Sequence, residues 1–221
     1  ISAFRDTGVV WDKYPVEQVA TPEGYARNPE LVINFYNERR KQLLDVVPNA
    51  GHLGVADLER DFNVTVVTQN VDNLHERAGS THVIHLHGEL TKVCSSRDPY
   101  NPHFVKELAP EEYEVKLGDK AGDGTQLRPF IVWFGESVPE IETAIRYVEQ
   151  ADIFVIIGTS LNVYPAAGLL NYVPRAAEVY LIDPKPVDTH VMRPIHVIQK
   201  GASEGVKELK ALLTVTQPPL P

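Results

Sequence analysis

The sequence is poor in cysteine, since Cys94 is the single cysteine among 221 residues. One cysteine cannot build an internal disulfide framework, and such a composition is typical of a reducing compartment. Long apolar runs are also lacking: none approaches the roughly 20 residues that span a bilayer, and no charged-then-apolar leader opens the chain. We therefore expect a cytoplasmic protein with no membrane partner.

Basic residues are scarce relative to acidic ones. Lys and Arg number 21 against 30 Asp and Glu, which gives a formal net charge of -9. Proteins that bind a phosphate backbone usually present a basic face, so we expect no nucleic-acid partner. An apolar content of 43% is enough to bury a core without disulfides or metal. The composition favours one large domain, which we expect to be monomeric.

Short runs rich in β-branched residues alternate with segments of helical periodicity, an order that predicts an α/β fold with a parallel sheet. Asn28 and Pro29 are typical first residues of a helix, and Asn49 could cap another. The predicted strands are 64–68, 83–86, 130–133, 153–157, 179–182 and 195–198. The predicted helices are 29–46, a second beginning near 49, 139–150, 165–173 and 203–213. Residues 92–128 interrupt this order with many Pro and Gly residues, which indicates an insertion.

Polar residues follow the predicted strand 64–68. Gln69, Asn70 and Asp72 supply two amides and a carboxylate, the groups that would recognise a sugar or a carboxamide. In parallel α/β sheets the ligand binds beyond the carboxyl ends of the strands. An Asx-rich turn that caps the next helix explains the same residues equally well.

A second strand ends in two histidines. Strand alternation would place His85 and His87 on one face, away from Leu86. A neutral histidine at a strand end suits a general base near pH 7, and a satisfied structural histidine is the alternative. A metal pair is disfavoured because no third ligand with convincing spacing accompanies them, so no metal site is predicted.

Two later strands also end in residues suited to a nucleotide. Gly158, Thr159 and Ser160 follow the apolar strand 153–157, and Asp183 follows strand 179–182. Glycine allows a ligand to approach the backbone, and an acid can accept hydrogen bonds from ribose hydroxyls. No complete G-x-G-x-x-G is present, so an ordinary hydride-transferring dehydrogenase lacks its main fingerprint.

Taken in order along the chain, these motifs resemble the sirtuin family of NAD-dependent protein-lysine deacylases. The resemblance covers nearly the whole chain. The segments that carry it are Phe4-Arg5, Gln69-Asn70-Val71-Asp72, His87-Gly88, Trp133-Phe134-Gly135-Glu136, Gly158-Thr159-Ser160, Val163-Tyr164-Pro165-Ala166 and Gly201-Ala202.

The resemblance implies a Rossmann-like parallel sheet with helices on both faces, plus a small domain formed by two insertions. The sheet core would comprise approximately 1–6, 49–91 and 129–215. The insertions would be a helical module, 7–48, and the segment 92–128, which corresponds to the zinc module of the family.

The resemblance also implies roles for the residues that would bind NAD, which is consumed as a co-substrate. His87 would act as general base on a ribose hydroxyl, Asn70 would position ribose and water, and Asp72 would recognise the carboxamide. The other expected NAD contacts are Gln69 at ribose, Phe4 and Arg5 at the nicotinamide end, Gly158, Thr159 and Ser160 at phosphate and ribose, and Ala202 near adenine. Asp183 stands where the family usually has asparagine.

The expected macromolecular partners are acyl-lysine proteins or peptides. By resemblance, Phe134, Gly135 and Glu136 form one edge and the segment around Val163 forms the other, with the peptide held between them as an added strand. The lysine stem would lie in an apolar tunnel formed by Val132, Phe134 and Val163. Because main-chain hydrogen bonds supply the affinity, we expect a loose sequence preference.

Tyr36 and Arg39 bear on the acyl group. They lie at i and i+3 on the helix 29–46, so both side chains can reach one ligand. On spacing alone, Arg39 is better explained as a solvated surface charge within the run Glu38-Arg39-Arg40-Lys41 than as a ligand-binding residue. The pair, however, matches the Tyr-x-x-Arg of the sirtuin branch that removes malonyl and succinyl groups. An arginine fork would bind the distal carboxylate, and the phenol would add one donor.

The chain departs from the family in two places. Most sirtuins hold zinc with four cysteines, whereas Cys94 stands alone near the first expected position, and one thiolate cannot build that site. We therefore expect no zinc. The family's first strand and Gly-Ala-Gly loop would precede Ile1, so we expect the natural N-terminus to lie upstream.

Two other functions would use the same fold. One is a mono-ADP-ribosyltransferase, in which another nucleophile captures the activated ribose, although the Tyr36 and Arg39 pair would then have no obvious task. The other is a catalytically inactive NAD-sensing scaffold, against which the presence of both His87 and Asn70 counts.

Overall fold

A computed structural model describes residues 14–159, 166–186 and 193–215. Contacts within the chain divide it into two compact units. The first unit contains 14–47, Thr68–Asn73 and His85–Pro139. The second contains Pro48–Val67, Leu74–Ile84 and the described residues from Glu140 onward.

The described chain alternates between helices and short strands, as the sequence predicts. The helices are α1 Val16–Val19, α2 Pro22–Arg27, α3 Pro29–Leu44, α4 Ala50–Asp57, α5 Leu74–Ala78, α6 Ile141–Val148, α7 Ala166–Leu169 and α8 Ala202–Val215. The strands are β1 Val66–Thr68, β2 Val83–His85, β3 Gly88–Ser95, β4 Lys106–Glu107, β5 Leu127–Ile131, β6 Ile153–Ile157, β7 Glu178–Ile182 and β8 His196–Ile198. Within these ranges no helix is both long enough and apolar enough to cross a membrane.

The second unit contains the parallel sheet, with strand order β6-β7-β8. Val155 pairs with Tyr180, and Tyr180 pairs in turn with His196. Its core is formed by α4, the 3-10 turn after it, α8 and the sheet, through residues that include Val55, Ile182, Ile198, Val206 and Leu209. The parallel α/β architecture that the sequence predicts is confirmed.

Helix α4 begins as predicted at the cap residue Asn49. The Asn49 side chain accepts a hydrogen bond from the main-chain N–H of His52 at 3.0 Å, and His52 Nδ1 accepts one from the N–H of Asn49 at 3.1 Å. This reciprocal arrangement satisfies two N–H groups that the first turn of a helix leaves without internal partners.

The first unit is built on an antiparallel sheet with strand order β4-β3-β5. Helix α3 packs on it, and its core residues are Ile33, Val93, Leu108 and Val115. Helix α3 begins as predicted: the Asn28 side chain accepts a hydrogen bond from the N–H of Leu31 at 3.2 Å, and Pro29 occupies the first turn.

The prediction that 130–133 forms a strand of the parallel sheet is wrong. The strand there is β5, Leu127–Ile131, and it pairs antiparallel with β3, with Cys94 opposite Arg128. A turn at Leu86 and His87 separates β2 from β3, and β3 takes β5 as its partner. A short apolar run carries no information about which strand it will meet.

Candidate functional site

The segment Gln69-Asn70-Val71-Asp72 leaves the end of β1, and its main chain is held at several points. Thr68 Oγ1 accepts from the N–H of Asn70 at 3.0 Å, and the Asn70 carbonyl lies 3.0 Å from His85 Nδ1. The carbonyl of Val71 accepts from the N–H of Leu90 at 2.8 Å. Asn70 is nevertheless exposed. The segment therefore presents a side-chain amide from a fixed backbone.

His87 lies in the turn between β2 and β3, so the prediction that it shares a strand face with His85 is wrong. Its carbonyl accepts from the N–H of Val132 at 2.9 Å. The next residue, Gly88, has φ +87°, and a Cβ added there would lie 2.1 Å from the carbonyl oxygen of Phe130. Because only glycine fits this position, the turn that carries His87 is strongly constrained.

No group of three or more potential metal ligands occurs in the described part of the chain. Cys94 is fully buried in β3, where burial raises the pKa of its thiol to about 12. The expectation of a zinc-free protein stays a prediction for metal analysis.

Hydrogen bonds hold the loops of the insertion 92–128. Ser95 Oγ donates to Asp123 Oδ2 at 2.5 Å and accepts from the N–H groups of Arg97 and Asp98 at 3.0 and 2.9 Å. Asp123 Oδ1 accepts from the Thr125 hydroxyl at 2.6 Å. The hydrogen bond from Ser95 is the largest factor that lowers the pKa of Asp123, so this carboxylate is ionised at neutral pH.

The loop after β5 carries Phe134, Gly135 and Glu136, the predicted edge for a peptide. The side chain of Phe134 is 67% exposed. The Glu136 carboxylate, in contrast, accepts hydrogen bonds from both Nη atoms of Arg128 at 2.9 and 3.0 Å, from the N–H of Trp133 at 2.8 Å and from the Tyr100 hydroxyl at 3.0 Å. The side chain of Glu136 therefore braces the loop from inside. The main-chain N–H groups of Phe134 and Glu136 also donate within the protein, to the carbonyls of Ala20 and Trp133 at 3.0 Å each.

Arg128 is a site residue that the sequence did not reveal. Its side chain is 4% exposed, its guanidinium lies 3.8 Å from the centroid of the Trp133 ring, and Nη2 also donates to the carbonyl of Ile131 at 2.8 Å. A charged residue inside a buried strand would have been the signal. The predicted strand 130–133 leaves Arg128 outside, whereas the observed strand Leu127–Ile131 contains it.

Tyr36 is buried in α3 and its hydroxyl is already engaged. The hydroxyl donates to the carbonyl of Val19 at 2.9 Å and accepts from Trp133 Nε1 at 3.0 Å. Burial raises the pKa of Tyr36, so the phenol stays protonated. Because a phenol has one proton, the expected additional donor to an acyl carboxylate is committed to Val19 in this structure.

Arg39 and Arg40 are neighbours on α3 with different surroundings. Arg40 Nε donates to the carbonyl of Tyr113 at 2.8 Å and its Nη2 donates to Asn37 Oδ1 at 2.6 Å. Burial lowers the pKa of Arg40 to about 10. Arg40 therefore has a structural role, because it joins the helix to the insertion.

The Arg39 side chain is only 13% exposed, yet its Nε has no hydrogen-bond partner among the described residues. Its nearest described carboxylate is that of Glu38, at 3.7 Å from Nη2, which is beyond hydrogen-bonding distance. The guanidinium lies 4.6 Å from the centroid of the Phe35 ring. A nearly buried guanidinium with donors to spare suits an anionic ligand.

The residues predicted to meet the rest of NAD lie at the carboxyl ends of the parallel strands of the second unit. Gly158 follows β6 with φ +63°, and among the described residues no atom, apart from those of its chain neighbours, comes within 4 Å of the position of a Cβ there. Asp183 follows β7, where its Oδ1 accepts from the N–H of Lys185 at 2.8 Å. Ala202 is the first residue of α8. This edge is where parallel α/β proteins bind ligands.

The predicted site residues fall into three groups. Those in the first unit are Tyr36, Arg39, Gln69, Asn70, Asp72, His87, Val132, Phe134, Gly135 and Glu136. Those in the second unit are Gly158, Thr159, Asp183 and Ala202. The remaining four, Phe4, Arg5, Ser160 and Val163, lie outside the described residues.

Comparison with known proteins gives consistent matches along the chain. The sequence profile of the Sir2 family matches residues 1–165. A Bacteroides thetaiotaomicron protein named NAD-dependent protein deacylase is 83% identical over 213 residues, which span 96% of this chain and 91% of the relative. A Helicobacter pylori protein of the same name is 46% identical over 209 residues, covering 95% of this chain and 89% of the relative.

Solved structures match as well. A Sir2 homologue variant in complex with ADP-ribose superposes with a TM-score of 0.82 at 32% identity, covering 99% of this chain and 89% of the other. A Sir2 homologue in complex with NAD gives a TM-score of 0.80 at 35% identity, covering 97% of this chain and 84% of the other.

Proposed function

The chain belongs to the Sir2 family, and on that premise we propose that it is an NAD-dependent protein-lysine deacylase. Its similarity, over nearly the whole length, to bacterial proteins named NAD-dependent protein deacylases is the observation that carries the proposal. The reaction would transfer the acyl group of a modified lysine, with release of nicotinamide and O-acyl-ADP-ribose.

The residues present fit a bound NAD. Gly158 carries no side chain of its own, and no side chain of the described residues lies within 4 Å of its Cβ position, so a phosphate or ribose could approach the backbone there. Asn70 offers an exposed amide for ribose and a water molecule, and Asp72, which is half-buried, offers an acceptor for the carboxamide N–H groups. When bound, NAD supplies an electrophilic anomeric carbon from which nicotinamide departs.

His87 would be the general base. An imidazole can take a proton from a ribose hydroxyl near neutral pH, and His87 is half-buried in the structure. The adjoining Gly88 and the hydrogen bond from Val132 to the His87 carbonyl fix the turn, which reduces the motion needed to reach a reactive geometry.

The structure supports a narrower proposal for the acyl group, namely a preference for succinyl and malonyl groups over acetyl. The nearly buried Arg39 guanidinium has donors without described partners, and a carboxylate at the end of the acyl chain would supply the missing acceptors. Because the Tyr36 hydroxyl donates its hydrogen bond to the carbonyl of Val19, the preference for acidic acyl groups would depend on Arg39. Acetyl-lysine, which lacks the carboxylate, would still react.

Substituting each of the two neighbouring arginines tests this preference. We expect Arg39→Met to lower kcat/KM for succinyl- and malonyl-lysine peptides by about 10-fold or more, with less than about a threefold change for acetyl-lysine, because only the acidic groups lose a charge-assisted hydrogen bond. Arg40→Met is the matched control. It should lower the melting temperature and affect all three peptides alike, because Arg40 holds the fold.

Steady-state kinetics on the three peptides at saturating NAD measure the effect. Equal losses on acetyl and succinyl peptides in Arg39→Met would make Arg39 structural and would remove the acyl preference from the proposal. The deacylase proposal itself would survive that result.

The proposal also includes a monomer in the cytoplasm whose partners are acyl-lysine proteins or peptides. The formal net charge of -9 supports a partner other than nucleic acid.

A further inference from the structure

His85 is a buried histidine next to the proposed catalytic segment, with no role in the proposed chemistry. It is 8% exposed and is the last residue of β2, two residues before His87. Its Nδ1 lies 3.0 Å from the carbonyl oxygen of Asn70. Because a carbonyl oxygen can only accept, Nδ1 must carry the proton in this hydrogen bond. The contact thus fixes which ring nitrogen is protonated.

The other ring nitrogen of His85 faces β3. Nε2 lies 3.9 Å from Glu89 Oε1, and Glu89 Oε2 in turn lies 2.7 Å from Lys92 Nζ. The imidazole therefore lies between the Glu89 carboxylate and the main chain of Asn70. At 3.9 Å the Glu89 carboxylate is beyond hydrogen-bonding distance of Nε2, whereas the 3.0 Å contact with the Asn70 carbonyl is a hydrogen bond that orients the ring.

The contact between His85 and the Asn70 carbonyl is one of two hydrogen bonds that hold the main chain of Asn70. The Asn70 N–H is bound by Thr68 Oγ1 and its carbonyl by His85, while the residue itself is exposed. Fixing both main-chain groups of one residue limits the directions its side chain can take. An apolar residue would fill the buried position of His85 without the cost of burying a polar ring, so packing alone does not explain a histidine here.

We propose that His85 is a positioning residue for the reaction, because it holds the Asn70 carbonyl and so fixes the Asn70 amide in the direction that NAD requires. This inference rests on the proposed function, since the role of Asn70 belongs to it. The expected signature is a loss of kcat with little change in the KM for peptide, because misplacing a group that acts on NAD leaves the peptide site intact.

Two substitutions separate positioning from packing. His85→Leu keeps the volume and removes the donor, whereas His85→Asn keeps a donor, since its Nδ2 stands where Nδ1 of histidine stands. We expect His85→Leu to lower kcat by about 10-fold or more with KM for the peptide within about twofold, and His85→Asn to recover most of that loss. The control is His82→Asn, because His82 Nδ1 is bound to Thr65 Oγ1 at 2.9 Å and does not contact the segment 69–72. It should stay within about twofold of the unsubstituted protein.

Wild-type kcat in His85→Leu, or equal losses in His85→Leu and His85→Asn, would overturn the inference. A further measurement on the unsubstituted protein covers the case in which His85→Leu does not fold. Nitrogen-15 NMR of the His85 ring should show a protonated Nδ1 at neutral pH, and an unprotonated Nδ1 would overturn the proposal. If the unsubstituted protein has no deacylase activity, the proposed function fails, and the ring measurement still tests the His85 contact with Asn70 separately.

Discussion

Adjacent residues on one helix can serve different purposes, as Arg39 and Arg40 show. Sequence spacing could not separate the two arginines, because the partners that identify Arg40 as structural are Leu90 and Tyr113, which are far away in the chain. The same limit applies to Tyr36, whose hydroxyl is bound by Trp133. A motif gives the type of a side chain and its place on a helix, while long-range contacts decide which donors remain for a ligand.

The Glu136 carboxylate gives a stability prediction at the residue scale. Burial alone would raise the pKa of Glu136, but the hydrogen bonds and charge of Arg128 outweigh it and hold the pKa below the usual 4.5. A carboxylate with a lowered pKa contributes stability that is complete above the usual value and is lost as pH falls through the lowered one. We expect Glu136→Gln to lower the free energy of unfolding by about 3 kcal/mol at pH 7, because it leaves the Arg128 charge buried without its partner.

Denaturant unfolding at pH 7 and at successively lower pH measures this difference, which should shrink as pH falls below 4.5. The control is Glu178→Gln, whose carboxylate lies 2.7 Å from His196 with a side chain that is 63% exposed. An exposed pair of this kind should change stability by no more than about 0.5 kcal/mol. A pH-independent difference for Glu136→Gln would contradict the account of the buried pair.

At the scale of elements, the sequence predicts helix starts and the bounds of an apolar strand well, but it does not predict which strand β5 pairs with. The cap residues Asn28 and Asn49 predicted helix starts because the hydrogen bonds they make are local. The apolar run 153–157 became β6 with the predicted bounds. The run at 130–133 was placed in the wrong sheet, because the antiparallel pairing of β3 with β5 is a long-range contact. The sequence does not predict the turn at Leu86 and His87, because the alternation of apolar and polar residues continues through Leu86.

Gly88, the first residue of β3, lies so close to the carbonyl of Phe130 in β5 that no side chain fits there. We expect Gly88→Ala to destabilise the protein by at least about 3 kcal/mol, because it adds an unfavourable backbone conformation and a clash with the Phe130 carbonyl. Gly124→Ala separates the two effects, since Gly124 has φ +81° but no atom within 4 Å of the Cβ position. It should cost about 1 kcal/mol. Thermal unfolding of both variants measures this difference. Equal destabilisation by the two substitutions would show that the backbone around Phe130 moves enough to remove the clash.

At the scale of the whole molecule, the proposed site residues come from segments far apart in sequence. Composition could exclude a disulfide scaffold, and periodicity could predict a parallel α/β fold. Neither could assign Asn70, His87 and Gly158 to one ligand, because each segment by itself is also an ordinary turn or cap. Only the order of the motifs along the chain, through the family resemblance, connected them to NAD.

The stoichiometry of NAD consumption tests the central claim most directly. With a succinyl-lysine peptide and NAD, mass spectrometry and chromatography should show one nicotinamide and one O-acyl-ADP-ribose for each lysine freed. His87→Ala should abolish this turnover and leave NAD binding largely intact, because it removes the base while the other proposed NAD contacts remain. Nicotinamide release with ADP-ribose left on protein would identify a transferase instead, and NAD binding without nicotinamide release on any acyl-lysine peptide would contradict the assignment as an enzyme.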